Sequence, residues 1–140
     1  MSKIKVAMIV STAALLGACS QNMPGGYASW PPDIPVAYAG GPPDPNSETV
    51  FNLSLVSGSL PGCWQANPVL ERPMTIRVQD NSGELLTSGG VHSGLTRVAP
   101  NTYAGALGNY LKIGADLATT PKTLRVRNNG ISCVWTATAS

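Results

Sequence analysis

Apolar and polar residues alternate along the second half of this chain with the period of a strand. In 74–79, Met74, Ile76 and Val78 fall on one side and Thr75, Arg77 and Gln79 on the other, as in a half-buried β-strand. The run 50–56 alternates more loosely, and Asp80-Asn81-Ser82-Gly83 separates 74–79 from a returning segment, 84–87. Gly89-Gly90 marks a bulge or bend. Strands are then predicted at 91–98, 102–107 and 110–117, separated by Ala99-Pro100-Asn101 and Gly108-Asn109. The last of these also fits a short helix, but Gly114 and its brevity favour a strand.

The final hairpin has the sharpest signal. Asn129-Gly130 is the favoured pair for a two-residue type I′ turn. That turn sets Asn128 opposite Ile131, Val126 opposite Cys133 and Leu124 opposite Trp135, with Arg125, Arg127, Val134 and Thr136 on the other side. Cys133 then points inward beside Trp135, where Cys63-Trp64 can meet it. The expected fold is all-β: a small antiparallel barrel or sandwich of about seven to eight short strands with one disulfide.

Ahead of this domain the texture changes. Residues 20–48 contain seven of the 12 prolines, the pairs Gly25-Gly26 and Gly40-Gly41, and no cation. Proline lacks an amide donor and glycine is costly to order. The expectation is a disordered, Pro-rich tether of about 29 residues, roughly 30 Å across as a coil and about 90 Å if extended. Tyr27, Trp30 and Tyr38 are unusual in an inert spacer; they read equally as docking groups or as incidental aromatics.

The first residues carry a different pattern. Lys3 and Lys5 precede an apolar run, Val6 to Leu16, broken only by Ser11 and Thr12 and ending in Leu16-Gly17-Ala18-Cys19. This is the layout of a secretory signal, and a run of about 11 residues is too short for a spanning helix of about 20. Leu16-Gly17-Ala18-Cys19 resembles the lipobox of bacterial lipoproteins. The resemblance covers residues 1–20. It implies removal of 1–18, a thioether-linked diacylglycerol on Cys19, an acylated new amino terminus, and no other cofactor. Ser20, where an Asp would retain the protein at the inner membrane, implies sorting to the outer membrane, facing the periplasm. The expected organisation is a signal peptide at 1–18, a lipidated terminus and tether at 19–48, and the β-domain at 49–140.

Export changes the meaning of the three cysteines. With Cys19 assigned to lipid, Cys63 and Cys133 remain as an even pair in an oxidising compartment, where a structural disulfide is the default. The long loop it closes makes it worth about 4 kcal/mol. Export changes the charge as well. The chain's 9 Lys and Arg include Lys3 and Lys5, so without them cations and the 7 acids cancel. A neutral chain with 11% charged residues, against about 25% in typical domains, has no basic face for nucleic acid.

Catalytic chemistry is hard to assemble. His92 is the single histidine; its neighbour Ser93 would point to the opposite face of a strand, and Gly90-Val91-His92-Ser93-Gly94 lacks the order of a nucleophile elbow. Asp80 and Glu84 flank a turn, where acids are ordinary. Metal ligation by Cys63 and Cys133 would need more partners than one histidine. Asn52-Leu53-Ser54 matches a glycosylation triplet, which a bacterial lipobox makes irrelevant.

The sequence therefore leads to a non-enzymatic, membrane-anchored lipoprotein whose β-domain binds or scaffolds another envelope component, with a protein partner expected. The layout is also similar to periplasmic inhibitor lipoproteins that block lysozymes or proteases, the alternative function. Either would use rigid loops, for which Gly58, Ser59, Leu60 and Pro61, just before Cys63, and His92 and Ser93 are the candidates.

Overall fold

Strand-period alternation gives nine antiparallel strands in a computed structural model that describes residues 30–140. They are β1 (Ser47–Phe51), β2 (Ser54–Ser57), β3 (Met74–Gln79), β4 (Ser82–Thr87), β5 (His92–Ala99), β6 (Thr102–Leu107), β7 (Leu111–Asp116), β8 (Lys122–Asn128) and β9 (Cys133–Ala139). A short helix α1 (Leu60–Ala66) and a 3-10 turn (Pro68–Glu71) lie between β2 and β3. Among the described residues no helix is long and apolar enough to cross a membrane.

All nine strands belong to one sheet, in the order β1-β3-β4-β5-β6-β7-β8-β9-β2, so the architecture is a curled half-barrel and not two stacked sheets. The edge strands β1 and β2 are separated only by Asn52 and Leu53, so the chain itself steps from one edge of the sheet to the other. The run 50–56, which reads as a single strand, is in fact divided between β3 and β9 as partners. That division accounts for a ninth strand. One compact unit spans Pro31–Ser140.

Alternate residues fill the concave side. Phe51, Met74, Ile76, Leu85, Tyr103, Ile113, Leu124, Val126 and Trp135 are all fully buried there. Gly83, expected in a turn, lies inside β4 because a side chain would collide with Tyr103: a Cβ at Gly83 would sit 2.5 Å from the ring. The turn itself is Asp80-Asn81, both with positive φ (51° and 66°) and flanked by the pair Gln79↔Ser82, as a type I′ hairpin requires.

The final hairpin differs from its expected register. Asn128 pairs with Cys133, Val126 with Trp135 and Leu124 with Ala137, leaving a four-residue connection, 129–132. The slip is two residues, so the same side chains still face inward. Asn128 Oδ1 accepts from the Gly130 amide at 2.8 Å and Ser132 adopts φ 55°, which lengthens the turn beyond the Asn129-Gly130 pair.

The Pro-rich segment is the larger difference. Residues 31–46 form a strap bound to the half-barrel, not a free spacer reaching residue 48. Arg127 donates to the Pro31 carbonyl and pairs with Asp33 at 2.8 Å, and Asn129 donates to Asp33 at 3.1 Å. Tyr38 does dock: its amide donates to the Arg97 carbonyl at 2.7 Å, and its ring lies 5.3 Å from the Arg97 guanidinium. Prolines suit such a strap because they bring no amide needing a partner. Tyr27 lies outside the described residues.

Candidate functional site

The two ends of the half-barrel are built from different connections. At one end lie the turns 80–81 and 100–101 and the connection 117–121; at the other lie 58–61, 88–91, 108–110 and 129–132.

The first end is closed by the strap. Asp44, with a side chain 3% exposed, accepts two hydrogen bonds from Arg97, from Nε and Nη2, both at 2.8 Å. Tyr103 donates its hydroxyl to the same carboxylate at 2.6 Å. Arg97 also donates to the Gly40 and Pro42 carbonyls at 3.1 and 3.0 Å, and the Asp44 amide donates to the Asn81 side chain at 2.7 Å. Burial alone would raise the Asp44 pKa, but the hydrogen bonds from Arg97, Tyr103 and the Asn101 amide outweigh it and hold the carboxyl below its ordinary value. Burial, then the neighbouring carboxylate, pushes the Tyr103 phenol up, so it remains a donor. Every polar group here is spent on another, which makes the cluster a latch and not a reactive site.

The second end is closed by covalent chemistry. Cys63 on α1 and Cys133 at the start of β9 form the expected disulfide, with S–S 1.98 Å and Cα–Cα 5.9 Å. Trp64 and Trp135 meet edge to face at 6.0 Å between centroids. Gly58 must be glycine: its φ is 113°, and a Cβ would meet Cys63 Sγ at 2.6 Å and the Ser132 carbonyl at 3.1 Å. Behind the disulfide, Asn67 donates to the Cys63 carbonyl and accepts from Asn128.

This second end gathers exposed apolar side chains. Tyr110 is 66% exposed, Leu60 65%, Val91 51% and Ile131 45%, one from each of its four connections. Ile34 projects from the strap next to Asp33, which Asn129 holds. The tips 58–61, 88–91, 108–110 and 129–132 contain no charged residue, although Glu71 and Arg72 stand exposed where the chain returns to β3 at this end. The three connections of the opposite end carry none of the large exposed apolar side chains. Val36 and Tyr38 on the strap, Val50 on β1 and Val56 on β2 are exposed as well, but the four gathered on the turns of one end form a candidate contact surface.

The sequence candidates fall unevenly on this frame. Gly58, Ser59, Leu60 and Pro61 do lie on the loop end, but Ser59 holds the N-cap position of α1 through its carbonyl alone and Pro61 sits in the first turn. The segment is a helix start, where proline is favoured, and not a free loop. The Ser-x-Pro order was its one available signal. His92 and Ser93 open β5 and diverge, as alternation requires. His92 Nδ1 lies 3.3 Å from Glu84 on the outer wall, while Ser93 donates to the Ala106 carbonyl at 2.6 Å. Tyr110, Val91 and Ile131 were not singled out; each is an apolar residue in a turn, a signal that gains meaning only when the turns are brought together. Leu16, Gly17, Ala18 and Cys19 lie outside the described residues.

The outer wall carries a row of charge. Arg77 lies between Glu48 at 3.8 Å and Glu84 at 3.7 Å, and hollows of ≈ 400 and ≈ 360 Å³ flank Arg77 and Gln79. These pairs are solvent-exposed and contribute little. Among the described residues no three His, Cys, Asp or Glu side chains converge as a metal site would need. The chain matches no family model, no curated protein and no solved structure.

Proposed function

We propose that this protein is a non-enzymatic lipoprotein of the bacterial outer membrane, held through diacylglycerol and an N-acyl chain on Cys19, whose half-barrel binds another component of the envelope. The observation that carries the binding reading is the loop end. Leu60, Val91, Tyr110 and Ile131 stand exposed on four neighbouring loop tips, 58–61, 88–91, 108–110 and 129–132, that carry no charge. The concave side is filled by its own side chains, so a partner is met on the outside of the fold. The disulfide and α1 hold two of these loops, 58–61 and 129–132, which lowers the entropy cost of contact.

Two measurements test the reading. Labelled palmitate enters the wild-type chain and not Cys19→Ser; incorporation into both removes the anchor. A photoreactive side chain replacing Tyr110 gives adducts in living cells, whereas one replacing Asn101 at the opposite end does not. Adducts from Asn101 alone would place the contact elsewhere.

Periplasmic inhibition of a lysozyme or protease remains the second reading. The observation favouring it is the rigidity of 58–61 beside the disulfide, since inhibitors insert preorganised segments. Lack of inhibition across a panel of such hydrolases removes it.

A further inference from the structure

We infer that the loop end of the half-barrel is a lipid-contacting surface that seats the domain on the bilayer carrying its own anchor. This rests on the anchored reading above and assigns the partner of that surface.

The first argument is where the chain enters the compact unit. Arg127 holds the Pro31 carbonyl and Asn129 holds Asp33, so the chain arrives beside the 129–132 connection, on the loop end. Tyr110 flanks the same connection: a Cβ on Gly130 would lie 3.6 Å from the Tyr110 ring. Twelve residue steps separate Cys19 from Pro31. They span at most about 40 Å when fully extended, and about 20 Å as a coil. An acyl chain on Cys19 therefore restrains this corner most closely. The strap-closed end lies a strand length further off, about 20 Å for six residues.

The second argument is chemical. A bilayer interface receives apolar side chains and tyrosine readily, and tyrosine is enriched there. The four loop tips offer Leu60, Val91, Tyr110 and Ile131 with no charge of their own, while Asp33 on the entering strap and Glu71 and Arg72 on the return to β3 are exposed and keep their water in the headgroup layer. The residues come singly from separate connections and form a rim. Ile34, 81% exposed on the entering strap, extends the same rim toward the anchor.

The test uses the full-length acylated protein in vesicles of phosphatidylethanolamine and phosphatidylglycerol. A nitroxide is placed through Asn109→Cys in the loop end or Ser82→Cys at the opposite end. Cys63 and Cys133 are bonded and Cys19 is thioether-linked, so only the new thiol reacts. Power saturation compares access of oxygen, which concentrates in lipid, with access of a water-soluble nickel chelate. The expected ratio of oxygen to nickel access is several-fold higher at 109 than at 82. Adding Tyr110→Ser and Ile131→Ser brings the 109 ratio down to that at 82 with an unchanged melting temperature. Equal, water-like ratios in the parent overturn the inference, and protection of 109 from both reagents overturns it in favour of a second copy covering the rim. Mass analysis of the Cys19 peptide from the same sample separates the two readings. An unmodified Cys19 defeats the anchor itself, whereas an acylated Cys19 with a water-exposed 109 defeats the seating alone.

Discussion

The two ends of the half-barrel solve the same problem with different bonds. At the strap end, the buried Asp44 carboxylate gathers Arg97 and Tyr103 around it while the Asp44 amide donates to the Asn81 side chain, and the surrounding turns are polar. At the loop end, a disulfide and an edge-to-face tryptophan pair close the sheet, and the tips of the surrounding loops, 58–61, 88–91, 108–110 and 129–132, carry no charge. A polar latch consumes the donors and acceptors near it, because a buried charge left unpaired is costly. A covalent staple makes no such demand, so the loops around it can expose Leu60, Val91, Tyr110 and Ile131. The contrast locates structural polarity at one end and contact surface at the other.

Breaking the staple has the largest expected effect. Cys63→Ala or Cys133→Ala removes a cross-link between residues 70 apart and should cost about 4 kcal/mol, measured by chemical denaturation. The double variant should be no less stable than either single, since one bond is lost in each.

Breaking the latch comes next. Asp44→Ala leaves Arg97 buried without its partner and should cost about 3 kcal/mol. It should also alter the acid response. The Asp44 pKa is lowered in the folded state, so its contribution is fully present above the unfolded value, about pH 4. It is lost as pH falls through the folded value. Wild type should therefore lose stability below about pH 4, and Asp44→Ala should lose less over that range, as followed by melting temperature against pH. An unchanged acid limb would show that other carboxylates govern it.

Smaller still is Gly83→Ala. The added Cβ would lie 2.5 Å from a Tyr103 ring whose hydroxyl is fixed to Asp44, so the ring has little room to move. Overpacking of this kind costs about 2 kcal/mol, and combining it with Tyr103→Phe, which frees the ring tip, should reduce that cost.

The smallest effect on stability is expected at the loop end. Tyr110→Ser with Ile131→Ser should change unfolding free energy by about 0.5 kcal/mol or less, because both side chains are exposed, yet should abolish crosslinking from a photoreactive side chain placed at Asn109. A large loss of stability instead would mean that these side chains hold the fold and not a partner.

Strand-period alternation at 74–79 and the inward placement of Cys133 and Trp135 were legible because a side chain's face depends only on local parity. The disulfide followed from counting cysteines once Cys19 is set apart. The register of the last hairpin was not legible, since a two-residue slip preserves every face and only the turn's hydrogen bonds decide it. Helix α1 escaped because seven residues show no clear period, leaving Ser59 and Pro61 as its faint markers.

The Pro-rich segment shows the same boundary most clearly. Its composition excluded helix and sheet core, since proline and paired glycines disfavour both, and residues 30–46 are neither, whereas Ser47 and Glu48 belong to β1 and residues 20–29 lie outside the described residues. Composition carries no information about what such a segment lies against. Asp44, one acid among seven in the sequence, is singled out by Arg97 and Tyr103, which are 53 and 59 residues away. The sequence by itself determined the strand pattern and the pair of cysteines, which depend on neighbours in the chain. Tertiary structure alone decided the latch and the gathering of four apolar turns at one end, which depend on neighbours in space.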